Sequence, residues 1–206
     1  MKKTFKFFLI GLVALLSANV AWAQQAGYKK AVAKFRSYST ATATVKRIDH
    51  KAAVKTDKVS TGTAEMKKPD KMCISVNGGK DKLVMNGSTF TMVMRGRKHT
   101  TSSKTNAQFT TFQKVLESIL SGGSVGGDIT SLPGVTASHH GQTYTITIVP
   151  ATAKGKRMMF SSFEVTINTA TSALKTLRMN QKKGNYTEYV FDDFRFGDAV
   201  SAKSFE

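Results

Sequence analysis

Side chains that could carry out chemistry are few in this chain. The histidines are His50, His99, His139 and His140, and no pair has the i, i+4 spacing of a helical metal motif or stands beside a cysteine. The adjacent pair His139 and His140 has few acidic neighbours, so we interpret it as part of an exposed loop. The sequence therefore predicts neither a metal site nor a cofactor.

The remaining reactive groups also lack partners. Asp192 and Asp193 are adjacent, and neighbours on a strand point to opposite faces, so they cannot work as paired catalytic carboxylates and are expected at a bulge or strand edge. Cys73, the single cysteine, has no base in its segment and is interpreted as a small packed hydrophobic residue. The glycine-rich stretch 122–127 lacks the lysine of a phosphate-binding loop. We do not expect an enzyme.

The elements that would position these residues begin with a helix. Over residues 24–37, Tyr28, Ala31, Val32 and Phe35 recur at spacings of three and four, which is typical of a short amphipathic helix. A second helix is predicted at about 106–120, where Phe109, Phe112, Leu116, Ile119 and Leu120 share one face and Gly122 and Gly123 stop it. The stretch 126–141 is predicted to be an irregular connector.

Strands are predicted over most of the remaining chain. Segments rich in threonine and valine, in which apolar and polar residues alternate, are typical of strands. Asn77-Gly78-Gly79 and Asn86-Gly87 are strong hairpin signals. The predicted strands are 39–49, 57–67, 71–77, 81–86, 88–95, 143–149, 158–168, 173–182 and 186–196. We expect a mainly β fold, a strongly curved antiparallel sheet or unclosed barrel of about 10–11 strands, capped by the short helices.

The N-terminus predicts export. Lys2, Lys3 and Lys6 precede an apolar run too short to span a bilayer, and residues 21–23 (Ala-Trp-Ala) match a signal peptidase site. We expect a cleaved signal peptide at 1–23, one domain at 24–206 and a periplasmic location.

The net charge of the chain indicates which classes of partner it could bind. The precursor carries a formal charge of +18, and the leader contributes three lysines and no acid, so 18 − 3 = +15 remains on the mature chain. Export removes nucleic acid as a target, which leaves anionic lipid head groups, acidic glycans or acidic proteins as partners, or simply a solvated basic surface. We expect a monomer.

Several segments carry a family resemblance. Residues 62–69 (GTAEMKKP) resemble the glycine, apolar strand and basic-basic-proline pattern of LolA-like periplasmic outer-membrane lipoprotein carriers. Residues 83–90 (LVMNGSTF) are similar to the family's strand, turn and strand, and 163–167, 183–185 and Phe205 to its closing segments.

The resemblance implies an unclosed barrel that holds acylated lipoproteins between an inner-membrane release complex and an outer-membrane acceptor. It also implies that Lys68 stands where the family has an arginine that keeps a lid closed. Lysine offers one ammonium where arginine offers a planar fork, so the closure should be less geometrically defined.

Strand parity selects the residues expected to line the acyl-chain cavity. The expected lid consists of Phe109, Phe112, Leu116 and Ile119. The expected cavity wall consists of Met66, Met72, Ile74, Leu83, Phe90, Met92, Ile146, Ile148, Phe163, Val165, Leu177 and Met179. Two alternatives stay open: the same residues form an ordinary dry core, or the protein is an envelope sensor or binding module that recognises anionic glycan, lipid A or an acidic partner.

Overall fold

Residues 25–151 and 158–206 are described by a computed structural model. The predicted signal peptide lies outside these residues. The described chain starts in a helix that runs to residue 31 (α1), and after a turn at Val32 the helix Ala33–Ser37 (α2) follows. The N-terminal helix predicted at 24–37 is therefore interrupted. Within the described ranges, no helix combines the length and the apolarity needed to cross a bilayer.

In the described residues, eleven strands form one antiparallel sheet. In chain order they are β1 Thr40–His50, β2 Lys58–Lys67, β3 Lys71–Val76, β4 Asp81–Asn86, β5 Thr89–Met94, β6 Arg97–Ser102, β7 Val135–His140, β8 Thr143–Ile148, β9 Ser162–Asn168, β10 Leu174–Asn180 and β11 Tyr186–Phe196. Their order across the sheet is β6-β5-β4-β3-β2-β1-β11-β10-β9-β8-β7. Only one neighbouring pair, β1 and β11, is not consecutive along the chain, and the predicted mainly β fold is confirmed.

Helix α3, Ala107–Leu120, connects the strand at one edge of the sheet to the segment before the strand at the other edge. Asn106 caps it, because its side-chain oxygen accepts a hydrogen bond from the Gln108 N–H at 3.2 Å. Gly122 and Gly123 end it with positive φ angles of 71° and 76°. The predicted helix and its stop are confirmed.

The sheet is strongly curved, as contacts with α3 show. The Phe112 ring lies 5.8 Å from the ring of Phe90 on β5 and 4.3 Å from the ring of Phe163 on β9. These strands are seven positions apart in the sheet order, which in a flat sheet would separate them by about 34 Å at ~4.8 Å per strand. The sheet must therefore wrap around α3, which lies against its concave face.

Three predictions about elements were wrong. Strand β6 had not been predicted at all, and the connector predicted as irregular at 126–141 contains β7 as well as a short 3₁₀ turn, Ile129–Ser131. The strand predicted at 158–168 begins only at Ser162.

The adjacent acids Asp192 and Asp193 lie at a bulge, as expected. The pairing register between β1 and β11 shifts where these residues lie, and Asp193 has a positive φ of 45°.

The C-terminal segment packs on the other, convex face. Its last turn, Ala202–Phe205, buries Phe205 against Cys73 and Val84 in a small cluster separate from the main core. The side-chain amide of Asn86 donates to the Phe205 carbonyl oxygen at 3.1 Å. Cys73 is thus a packed thiol, as expected, and burial raises its pKa.

Candidate functional site

The concave face under α3 is the candidate site. Antiparallel register places opposing residues on one face of the sheet, and the pairs Met66 with Met72 and Leu83 with Met92 both turn toward α3. All of the residues expected to line a cavity belong to or pack against one apolar cluster with the four lid residues. Met92 is the one member that is only partly buried. The structure therefore brings every predicted wall and lid residue together.

Aromatic rings form the centre of the cluster. Phe109 lies 5.0 Å from Phe90 and 6.0 Å from Phe163, and the ring of Phe112 stacks on that of Phe163 with an interplanar angle of 15°. Such offset and tilted pairs add to the free energy of burial. The rings of Phe109 and Phe112 thus occupy the space between α3 and strands β5 and β9, and a ligand could take that space only if α3 moved.

Sequence reasoning missed several members of this cluster. Val115 of α3 is buried beside the predicted lid residues, as is Leu120, which the sequence had placed on the apolar face of the helix but not in the lid. Phe160 is also buried, 5.9 Å from Phe109, although strand parity from Phe163 would turn it outward. The chain at 158–161 is not a strand. Instead, the Gln108 side-chain oxygen accepts hydrogen bonds from the N–H groups of Met159 at 2.8 Å and Phe160 at 3.1 Å.

Polar contacts join the three helices. The Tyr28 hydroxyl on α1 donates to the Ser118 hydroxyl on α3 at 2.8 Å, and burial raises the pKa of Tyr28. The Arg36 guanidinium donates through Nε to the carbonyl oxygen of Gly122 at 2.8 Å. Gly122 is required there, since a side chain would meet the backbone of Arg36. In the described part of the chain, α3 makes no main-chain hydrogen bond to a strand.

Lys68 lies where β2 leaves the sheet and meets the helices. Its ammonium donates to the carbonyl oxygen of Arg36 at 2.8 Å, and partial desolvation lowers its pKa. Only about 10 Å³ of free space remains in the crevice between this segment, α2 and the end of α3. Lys68, Arg36 and Gly122 thus form a chain of two hydrogen bonds from the sheet to the end of α3, which we call the helix latch.

A buried charged cluster lies on the same concave face, beyond the apolar residues, and was also missed. Arg47 is 3% exposed and contacts Asp49 at 2.8 Å and Asp81 at 3.2 Å. The Thr187 hydroxyl donates to Asp49, and burial raises the pKa of the neighbouring Tyr189 to about 12. Arg47 and Asp49 lie two and four residues after Val45 in β1, and therefore on the same face of the strand. This alternation is the sequence signal that could have placed them in the interior. Paired charges with satisfied hydrogen bonds are tolerated in an interior.

The described residues do not form a cluster of metal ligands. Among residues 25–151 and 158–206, no three histidine, cysteine, aspartate or glutamate side chains come together as metal ligands would. His50 pairs with Asp57 at 2.7 Å on the opposite face of the sheet. The candidate site is thus an apolar surface under a helix.

Several known proteins are similar to this chain. Among solved structures, a putative outer membrane lipoprotein-sorting protein domain from Vibrio parahaemolyticus is similar at 11% identity, with 85% of this chain and 94% of that chain covered and a TM-score of 0.40. A LolA superfamily protein from Nitrosomonas europaea is similar at 7% identity, covering 88% and 96%, with a TM-score of 0.39. The lipoprotein LppX of Mycobacterium tuberculosis is similar at 10% identity, covering 87% and 97%, with a TM-score of 0.39.

No curated protein sequence matches the chain significantly. The profile of the family described as outer membrane lipoprotein carrier protein LolA matches residues 36–206, which include the end of α2, all of α3 and every strand of the sheet. The chain therefore belongs to the LolA family of outer membrane lipoprotein carrier proteins.

Proposed function

We propose that this protein binds the acyl chains of lipoproteins on the concave face beneath α3 and carries them through the periplasm, from an inner-membrane release complex to an outer-membrane acceptor. Family membership supports a carrier role. The observation that carries the proposal is that α3 covers an apolar, aromatic-lined face by side-chain contacts, without main-chain pairing to a described strand. Such a helix can leave the sheet without breaking the sheet.

Entry of an acyl chain requires this movement, because the rings of Phe109 and Phe112 occupy the space under α3. Each methylene moved from water into an apolar site contributes about 0.8 kcal/mol, so a chain of about fifteen methylenes contributes roughly 12 kcal/mol. Phe109 and Phe112 each contribute about 3–5 kcal/mol of packing when fully buried. An acyl chain can therefore replace the contacts of both rings when α3 is displaced.

Release follows from the same balance. A bilayer is also apolar, so the transfer of a chain from the cavity to a membrane changes its free energy far less than its transfer from water. The cavity need only match the bilayer and shield the chain during transit. Refilling of the cavity by Phe109, Phe112, Leu116 and Ile119 then favours release to an acceptor.

The helix latch would control opening. Lys68 and Arg36 each contribute one hydrogen bond, and net contributions of about 1 kcal/mol for such bonds are small compared with the apolar contacts. The latch therefore sets the closed orientation of the helices more than the strength of closure. Lys68 takes the role that the resemblance gives to the family's arginine.

Two neighbouring residues on β5 allow a direct test. Met92 faces the concave side and Val93 the convex side, and both are partly buried. Met92→Glu would place a charge beside the acyl chain, whereas Val93→Glu would place it outside. We expect Met92→Glu to reduce release of lipoproteins from inner-membrane preparations at least about 10-fold, which corresponds to 1.4 kcal/mol, and Val93→Glu to leave it near that of the unmodified protein.

Equal lipoprotein release by both folded variants would contradict the proposal. The binding-module alternative differs in its salt dependence, because electrostatic capture of glycan, lipid A or an acidic protein weakens steeply with ionic strength. Acyl-chain retention should persist or strengthen as salt rises. Mass spectrometry of molecules that co-purify with the mature protein would show whether they are acylated polypeptides.

A further inference from the structure

One end of the sheet collects four hairpin loops that the carrier function does not use. In an antiparallel sheet alternate loops lie at the same end, which here is the end where β1 finishes and β11 begins. Two of these loops touch, since the Ala52 N–H donates to the Asn185 side-chain oxygen at 2.9 Å. We define the basic rim as residues 51–58, 77–80, 95–98 and 181–185.

The charge of the basic rim is almost entirely positive. It contains one acid, Asp57, which pairs with His50. Its nine cationic residues are all exposed: Lys51, Lys55, Lys58, Lys80, Arg95, Arg97, Lys98, Lys182 and Lys183. At the opposite end, the hairpin segments 67–71, 87–88, 141–142 and 169–173 contain three cations, Lys67, Lys68 and Lys71, and one acid, Asp70. The hairpins at the rim end therefore carry the larger positive charge. Lys30 and Lys34 of the N-terminal helices lie at the opposite end, where their main-chain groups contact the Ser172 side chain.

Exposed aliphatic residues occur at the same end. Six large hydrophobic side chains are exposed in the described residues, and four of them lie in the basic rim or beside it: Val54 (55% exposed), Val59 (49%), Val149 (54%) and Met159 (60%). Val149 follows β8 and Met159 precedes β9, both at this end. Exposed apolar side chains surrounded by cations are typical of protein surfaces that bind at the head-group region of an anionic membrane.

A surface pocket lies between the basic rim and the segment that precedes β9. Its volume is about 510 Å³, and Met158, Met159, Gln181, Lys182, Lys183 and Asn185 line it. Thioethers and ammonium groups therefore share one depression, which suits the boundary between the head group and the first methylenes of an anionic amphiphile.

We propose that the basic rim docks on a bilayer that contains anionic phospholipid, with Val54 and Met159 entering the head-group region. The cations stand on four separate hairpins, in the loops and at the adjoining strand ends, with a single acid among them. A fluid layer of like-charged head groups matches this distribution, whereas a protein partner is usually matched by a pattern of both signs. The docking goes beyond cargo binding and rests on the proposed function only in bringing the carrier to the membrane that supplies or receives cargo.

The chain provides a clean reporter for this contact. Its single tryptophan, Trp22, lies in the predicted leader, so the mature protein is expected to contain none. A Val54→Trp variant should shift its emission to shorter wavelength on mixing with vesicles of phosphatidylethanolamine and phosphatidylglycerol, and high salt should reverse the shift. Vesicles of phosphatidylcholine should cause none. Val125→Trp, in the connector after α3, is the matched exposed control and should not respond.

Two charge-reversal variants distinguish the contribution of the basic rim to membrane binding from that of the total charge. The rim variant replaces four lysines by glutamate: Lys51, Lys55, Lys182 and Lys183. The control variant does the same at four exposed lysines away from the rim: Lys30, Lys67, Lys175 and Lys203. The two variants have equal net charge. We expect the rim variant to lose at least about 100-fold in partition to anionic vesicles by flotation, and the control to lose much less.

Absence of binding to anionic vesicles at low ionic strength would overturn the proposal, and so would equal losses in the two charge variants. Retention on a lipid-free anionic polysaccharide without vesicle binding would assign the rim to a glycan instead. The vesicles carry no lipoprotein, so Met92→Glu should bind them like the unmodified protein. Failure of docking is thereby distinguished from failure of cargo transport.

Discussion

At the scale of single residues, Lys68 shows what a lysine can and cannot do in this position. Its ammonium reaches one carbonyl oxygen, that of Arg36, and the guanidinium of Arg36 continues to Gly122. An arginine at 68 would present a planar fork of donors and could engage a second acceptor. The sequence-based expectation of a less defined closure is consistent with this single bond, while the role of Lys68 in cargo transfer stays a prediction.

We predict opposite effects for two substitutions at Lys68. Lys68→Ala removes one hydrogen bond, worth about 1 kcal/mol, and should speed the transfer of a fluorescent fatty acyl probe from the protein to vesicles about 5-fold. Lys68→Arg should slow it. Stopped-flow transfer measurements test both, with Lys67→Ala as the exposed neighbouring control. Identical transfer rates for Lys68→Ala and Lys67→Ala would show that the helix latch does not govern opening.

Residue-level prediction succeeded where a strand forces alternation. Met66, Met72, Ile74 and Leu83 share a face because period two leaves no other arrangement within paired strands. It failed at Phe160, because a side-chain amide from α3 holds the chain at 159–160 out of the strand. A contact between residues 51 or 52 positions apart leaves no trace in a local pattern.

At the scale of elements, the two strands missing from the prediction are the two edges of the sheet. Strand β6 (RKHTTS) contains no large apolar residue, and β7 (VTASHH) contains one buried residue, Val135. An edge strand pairs on one side only and can expose most of its side chains, so no alternation of apolar and polar residues develops. The interior strands, which bury one face, were all predicted in position to within a few residues, apart from the late start of β9.

The C-terminal turn gives a prediction at this scale. Phe205 covers Cys73, and loss of a large aromatic from an apolar cluster costs about 3 kcal/mol. Phe205→Ala should therefore raise the rate of Cys73 modification by a thiol reagent up to about 100-fold, through local opening. Phe194→Ala is the control, because Phe194 packs on the main core beside Phe35 and not on Cys73. If both variants accelerate the modification equally, Cys73 is exposed by global unfolding and the C-terminal turn is not a separate cover.

At the scale of the whole molecule, sequence patterns establish which residues face inward but not how much space they leave. The same alternation would arise for a lidded cavity and for a filled core, since both require apolar concave residues. Here the aromatic side chains of α3 occupy the concave side. Whether the protein can carry cargo therefore depends on motion, and specifically on whether α3 can leave while the sheet stays intact.

Hydrogen exchange of the mature protein tests that condition. Strands β1 and β11 are held by a main-chain ladder at the centre of the sheet, unbroken from Thr44 to His50, whereas α3 is held by apolar contacts and a few side-chain hydrogen bonds. We predict that the amides of Val115 and Leu116 exchange at least about 100-fold faster than those of Val45 in β1, through a partial opening that spares the sheet.

Acyl ligand should slow the exchange of the sheet little and change that of α3 strongly, because the ligand binds only when α3 has moved. Mass spectrometry of peptides covering 107–120 and 40–50 gives both rates from one sample, and Asn106→Ala, which removes the helix cap, should accelerate the first peptide alone. Should the two peptides exchange at the same rate, α3 would open only when the whole protein unfolds, and a mechanism that needs a moving helix over an intact sheet would have no opening step.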